Sequence, residues 1–286
     1  MQQRNVRSRY QSRRSSGFIR VVWVMIILAV LGYGAHSLLR SGALDVAASS
    51  SKLTDVNLGN QLTAIFKDYP QVTVGVSVIN LSSGKQNNFG STQPITAAST
   101  TKLVTALDFL HQVEGGTYKL SGPLDNETAG WQLQQLINQS NDDSWQDFIT
   151  LMGGQQIQDY AHQIGLNSFT FNGNTIAPSD DAKMLAALYQ GKLLNASDTQ
   201  LLLSYMQHTN DEQLIPAALP SSATVWHKYG ELLEPTGNFV HDTAIIKNNG
   251  HTFVLSIYTD RPDMLDIQQR EQLIHRITQA VVNYES

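Results

Sequence analysis

The sequence predicts an α+β fold: a five-stranded antiparallel sheet built from both ends of one globular domain, with a helical subdomain inserted between those ends and one N-terminal transmembrane helix ahead of it. Three observations predict this. Alternating β-branched patterns cluster near the start and at the end of the domain. Helix-period apolar patterns fill its middle. A single long apolar run, free of Lys, Arg, Asp and Glu, precedes them all.

The N-terminus is the most polarised part of the chain. Arg4, Arg7, Arg9, Arg13, Arg14 and Arg20 crowd the first segment, with no acid among them. Val21 to Leu39 is apolar all round, and about 20 such residues span a bilayer as a helix. The arginine excess holds the N-terminus in the cytoplasm and places the rest of the chain outside. A cleaved signal peptide competes with this reading, with Val46-Ala47-Ala48 as a small-residue site. The apolar run is longer than a signal core and ends well before that site, so the uncleaved anchor is preferred. A buried soluble helix fits the Arg-rich flank least. Residues 1–20 are read as a basic tail, 21–39 as the anchor, 40–57, rich in Ser and Ala, as a linker, and 58–286 as the domain.

Within the domain, Val72 to Ile79 alternates β-branched and small residues and predicts the first strand. Ser82-Ser83-Gly84-Lys85 turns the chain into a second strand near Asn88. Thr101 to Glu114 carries Leu103, Val104, Ala106, Leu107 and Leu110 on a helical face and stops at Gly115-Gly116. Short helices follow over Trp131–Asn138, Ser144–Met152 and Gln155–Ile164. Ser179 reads as the cap of another helix through Tyr189, with Asp180 and Asp181 at its positive end, and Ser197–Gln207 as a further one. Strands return at Thr224–Tyr229, Phe239–Lys247 and His251–Thr259, the last two joined by a tight turn at Asn248-Asn249-Gly250. Ile267, Ile274, Ile277 and Val281 mark a closing helix. Trp23 is assigned to the membrane interface and Trp131, Trp145 and Trp226 to packing.

Composition narrows the function. A chain of 286 residues, 41% hydrophobic and 15% charged, can bury a real core. A net charge of −5 argues against a nucleic-acid partner. With no cysteine, disulfides, thiolate catalysis and Cys-ligated zinc are excluded. The histidines show no zinc-ligand spacing, so neither a metal nor a cofactor is expected.

Three short motifs carry chemistry. Ser99-Thr100-Thr101-Lys102 puts a hydroxyl and an amine three residues apart at a helix start, hence on one face. Lys102 can then take the proton from a hydroxyl that is otherwise a weak nucleophile. Alone, the motif is common by chance, and most copies are solvated surface pairs. Ser140-Asn141-Asp142 lies between two helices, where Ser140 could equally cap the second. His227-Lys228-Tyr229-Gly230 ends a strand, where Lys228 could equally face solvent. His227 and His241-Asp242 invite a Ser-His-Asp triad with Ser99. A structural histidine at a strand edge is the preferred reading, because Lys102 already fills the base role.

Taken together and in this order, a Ser-x-x-Lys helix start, a Ser-x-Asn-like loop and a Lys-Thr-Gly-like strand resemble the penicillin-recognising serine hydrolases. The chain looks like their class A β-lactamase branch, over roughly Leu62 to Tyr284. The resemblance implies a β-lactamase/D,D-peptidase-like fold and an acyl-enzyme on Ser99. It implies Lys102 as base, directly or through water, and Ser140 as proton relay to the leaving nitrogen. Lys228 would support Ser140 and attract a substrate carboxylate, and the backbone N–H groups of Ser99 and Glu231 would form an oxyanion hole. Asp142, Tyr229, Gly230 and Glu231 fall at substrate-binding positions. The implied partner is a peptidoglycan stem peptide or a β-lactam, and the implied location a bacterial cell membrane with the domain extracytoplasmic.

The chain also departs from that family. No glutamate occurs between Glu127 and Glu212, and Leu166 to Thr175, where the family's water-activating glutamate loop would fall, holds no acid. Slow deacylation is the expectation. Asp142 replaces an amide donor, and an ionised Asp only accepts hydrogen bonds. Tyr229 replaces a threonine hydroxyl that helps bind a carboxylate, and Glu231 adds negative charge beside it. The expected activity is acyl transfer or hydrolysis on a peptidoglycan-related peptide, closer to a penicillin-binding D,D-peptidase than to a resistance enzyme. A true class A-type β-lactamase using another base, and a non-catalytic wall-binding or scaffolding protein, stand as alternatives. Asp142 and Tyr229 favour the last of these; joint retention of Ser99, Lys102, Ser140 and Lys228 argues against it.

Overall fold

The computed structural model describes residues 57–234, 237–261 and 267–285. The basic tail, the apolar run at 21–39 and the linker up to residue 56 lie outside them. Among the described residues no helix is long and apolar enough to cross a membrane.

The elements follow the predicted order. Helix α1 covers residues 57–67. Strands β1 (Thr73–Asn80), β2 (Gln86–Gly90) and β3 (Ile95–Thr96) lead into a 3-10 turn at Ala98–Thr101 and helix α2 (Lys102–Glu114). The helical part holds the small pair β4 (Pro123–Leu124) and β5 (Glu127–Thr128), then α3 (Ala129–Asn138), α4 (Asp142–Met152), α5 (Gly154–Gln163), β6 (Thr175–Ile176), α6 (Pro178–Tyr189) and α7 (Ala196–Tyr205). The chain closes with β7 (Thr224–Glu234), β8 (Gly237–Asn248), β9 (His251–Arg261) and α8 (Ile267–Glu285).

The main sheet has five strands in the order β2-β1-β9-β8-β7, and every pairing is antiparallel. Strand alternation explains its two cores. Val74, Val76 and Val78 of β1 face α1 and α8, against Leu58, Leu62, Leu273, Ile277 and Val281. Ile79, Ile245, Val254 and Tyr258 point the other way, into the core of α2, α3, α5 and α6. Each fully buried Val, Leu or Ile stabilises the fold by about 1.5–3 kcal/mol. The β8–β9 hairpin turns at Asn249 and Gly250, with φ of +48° and +84°. Two positive φ values are what a two-residue hairpin turn needs, and Asn and Gly tolerate them.

Three local expectations are corrected. Ser179 does not cap α6: the helix begins at Pro178, whose missing N–H costs nothing in a first turn, and Ala177 precedes it without a side-chain cap. Helix α4 starts at Asp142 because Asn141, two residues earlier than Ser144 would require, accepts from the Ser144 N–H at 2.8 Å. Trp131 is not a packing residue; it is 44% exposed in the first turn of α3.

Candidate active site

Ser99 lies in the 3-10 turn that joins β3 to α2. Ala98, just before it, has φ of +50°, a region that residues with a Cβ rarely adopt. Asn174, beside β6, holds this turn from three sides. Its carbonyl accepts from Ala97 N at 2.7 Å, its Nδ2 donates to Ala98 O at 2.9 Å, and its Oδ1 accepts from Thr101 Oγ1 at 2.5 Å. Behind the turn, the hydroxyls of Thr100 and Tyr258 lie 2.6 Å apart, and Tyr258 donates to Asp181 Oδ2 at 2.9 Å. Asp181 is buried, and desolvation pushes its carboxyl up to about 7. The turn is thus over-determined, while the Ser99 hydroxyl is half-buried and makes no hydrogen bond among the described residues.

Two fully buried lysines converge on this turn. Lys102 opens α2; its Nζ donates to Ser140 O at 2.6 Å and to Asp142 Oδ1 at 2.5 Å, and sits 5.7 Å from the Trp145 ring centre. Burial lowers its pKa, and the Asp142 carboxylate works against that. Lys228, on β7, donates to Ser140 Oγ and to Tyr229 O, both at 2.8 Å, with its Nζ 4.3 Å from the Tyr229 ring centre. Burial and the Lys102 charge push its pKa well below the ordinary lysine value.

Ser140 stands between them, in a left-handed backbone conformation (φ +53°) in the link from α3 to α4. Asn138 and Asn210 fix that link. Asn138 Nδ2 donates to Tyr205 O, Gln207 O and His208 O, and Asn210 Nδ2 donates to Gln139 O at 3.0 Å. Asn210 Oδ1 also accepts from the Tyr229 hydroxyl at 2.9 Å. On β7 the close approach falls at Gly230. A Cβ there would stand 2.9 Å from both Ala97 O and Ser99 N, so only glycine lets the strand lie this near the Ser99 amide.

The sequence-predicted residues Ser99, Lys102, Ser140, Asp142, Lys228, Tyr229 and Gly230 therefore meet in one place, with Glu231 exposed beside them. The solvent-facing reading of Lys228 fails, since the residue has no exposed surface. The helix-cap reading of Ser140 fails because Asn141 takes that role. A Ser-His-Asp triad is also ruled out. His241 is held by Thr96 O and the Thr259 N–H, and His227 by Asp242, Glu212 and Thr209. Asp142, expected to meet substrate, spends one oxygen on Lys102, and its side chain is otherwise 87% exposed. Asn174 and Asn210 were missed; an Asn-Gly-Asn turn was visible at 172–174, but nothing local names Thr101 or Ala98 as its partners. Among the described residues no cluster of His, Cys, Asp and Glu could hold a metal.

A serine hydroxyl without a partner among the described residues, one helical turn from a buried lysine and with a strand backbone pressed against its amide, is equipped for acyl transfer: Ser140, bonded to both buried lysines, adds a route for protons. Fold and site together define the class of serine hydrolases with a Ser-x-x-Lys nucleophile. The chain belongs to the β-lactamase enzyme family, whose model matches residues 57–153 and 128–284. Among solved structures it is similar to PBP-A (TM-score 0.71, 24% identity, 79% of this chain and 95% of that one). It is similar to a PBP-A point mutant solved as an acyl-enzyme complex with penicillin G (TM-score 0.71, 25% identity, 80% and 96%). It also matches an ancestral class A β-lactamase of Gram-negative bacteria (TM-score 0.73, 19% identity, 79% and 99%). A search of curated proteins finds no match.

Proposed function

We propose that this chain is a membrane-anchored, extracytoplasmic serine hydrolase that forms an acyl-Ser99 intermediate with peptidoglycan-type peptides or β-lactams and releases it slowly. The observation that carries this reading is Ser140, whose carbonyl lies 2.6 Å from Lys102 Nζ and whose hydroxyl lies 2.8 Å from Lys228 Nζ, with Lys102 one helical turn from a Ser99 hydroxyl that has no partner among the described residues. In the first step the Ser99 oxygen bonds to the substrate carbonyl carbon and Lys102 takes its proton, directly or through water. The carbonyl electron pair moves to the oxygen, facing the N–H groups of Ser99 and Glu231. The carbon–nitrogen bond then breaks, and a proton passes through Ser140 to the leaving nitrogen, giving an ester on Ser99 and a free amine.

Release needs a base to activate water. Asn174, the side chain placed under the nucleophile turn, is an amide and cannot serve. The nearby acids are committed elsewhere: Asp180 accepts from Ser168 and Lys183, and Asp181 from Tyr258. Mixing the protein with a chromogenic cephalosporin should give a burst of about one equivalent followed by a slow steady state. Fast linear turnover without a burst would sink the slow-release reading.

One observation favours a second reading, a non-catalytic wall-binding module. Lys102 bonds to Asp142 and to the Ser140 carbonyl, and not to Ser99. Absence of burst, adduct and turnover together supports that module.

A further inference from the structure

Asp142 has more to do than hold Lys102. Its Oδ1 is 2.5 Å from the Lys102 amine, which starts the helix that carries Ser99 on its preceding turn, yet the Asp142 side chain is 87% exposed. The second oxygen is thus open to solvent beside the Lys102 amine. Capping of α4 does not require it, because Asn141 performs that task. A carboxylate only accepts hydrogen bonds, so a substrate carbonyl placed here meets repulsion while an N–H donor or an ammonium meets a partner.

The surrounding charges point the same way. Lys228 has no exposed surface and is saturated by Ser140, Tyr229 O and the Tyr229 ring, so it offers no cationic face to an incoming anion. Asp211 and Glu231 lie close enough to each other, and Asp211 and Asp142 close enough to Lys228, to act electrostatically. Asp142 and Glu231 are thus exposed there, while neither lysine is.

Resting on the acyl-Ser99 reading above, we infer that Asp142 is a specificity-determining residue that selects acyl donors carrying a protonated amine close to the reacting carbonyl. Such an ammonium competes with Lys102 for the carboxylate. It gains an ion pair and, by engaging Asp142, loosens the hold on the Lys102 proton. The same contact then acts on binding and on the base.

Ampicillin and benzylpenicillin test this directly, because they differ only in an α-ammonium on the acyl side chain. The full chain in mild detergent, as wild type and Asp142→Asn, is mixed with each drug, and the rate of ester formation on Ser99 is followed by intact mass. Wild type should react with ampicillin about three to five times faster than with benzylpenicillin, the size expected of one exposed ion pair. In Asp142→Asn that preference should vanish, because a neutral amide forms no ion pair with the ammonium. Equal rates on wild type, or an ampicillin preference surviving in Asp142→Asn, would overturn the inference and leave the acyl-Ser99 reading intact. No adduct with either drug on either protein, with both drugs left intact, would overturn both. Asp142→Asn is isosteric at an exposed helix start, and its circular dichroism melt checks that it folds.

Discussion

Lys102 and Lys228 are both wholly buried beside Ser99, yet their partners make them different groups. Lys102 faces a carboxylate; Lys228 faces a hydroxyl, a carbonyl oxygen and an aromatic ring. Burial lowers both pKa values; at Lys102 Asp142 opposes the shift, while at Lys228 the Lys102 charge adds to it and Asp242, Asp142 and Asp211 oppose it. Burial thus sets the direction at both, and the partners set how far each shift goes. Two amines near one nucleophile with separated proton affinities form the kind of pair from which a base and a proton relay can be drawn.

Truncating each lysine breaks or sharpens this contrast. Lys102→Ala should lower the rate of Ser99 acylation on the order of a thousandfold, as loss of a general base does. Lys228→Ala should cost less, on the order of a hundredfold, because it acts through Ser140. Rates of adduct formation by intact mass decide it. A larger loss at Lys228 would move the base role there.

Gly230→Ala should come next, lowering acylation about a hundredfold or more. Its Cβ would press on Ala97 O and Ser99 N, displacing an amide needed by the developing oxyanion. An unchanged rate would place the oxyanion elsewhere.

The smallest expected effect is on stability, and it repeats the contrast in two buried histidines. His227 sits between Asp242 and Glu212. Burial lowers its pKa, but the carboxylates more than reverse this, to about 9. His241 has backbone partners, and burial takes it down to about 4. A pKa raised above the unfolded value near 6.5 gives stability that is whole below that pH and is lost as pH rises through the folded value. The wild type should therefore lose Tm between about pH 7 and 10, by roughly 3 °C or more, and His227→Gln should flatten that slope. An unchanged slope in His227→Gln would remove His227 as its source.

How much of this was legible in the sequence follows from range. The sheet was legible because alternation along Val74, Val76 and Val78 and the Asn249-Gly250 turn are local signals. Helix α2 was legible for the same reason. Ser99, Lys102, Ser140 and Lys228 were legible as motifs, and the structure brings them together. The Lys102–Asp142 pair was not, because nothing at either position names a partner 40 residues away. Asn174 under the nucleophile turn and the Asp181–Tyr258–Thr100 chain behind it were hidden likewise; they span 73 to 158 residues of sequence. Local pattern predicted the elements, and long-range polar contacts set the chemistry.

The central claim is that Ser99 forms a covalent acyl-enzyme. Its most direct test is the intact mass of the full chain after incubation with benzylpenicillin, with Ser99→Ala as control. Wild type should show a persistent gain of one whole drug molecule, and Ser99→Ala none. An unmodified wild type with the drug intact, or an equal adduct on Ser99→Ala, would contradict it.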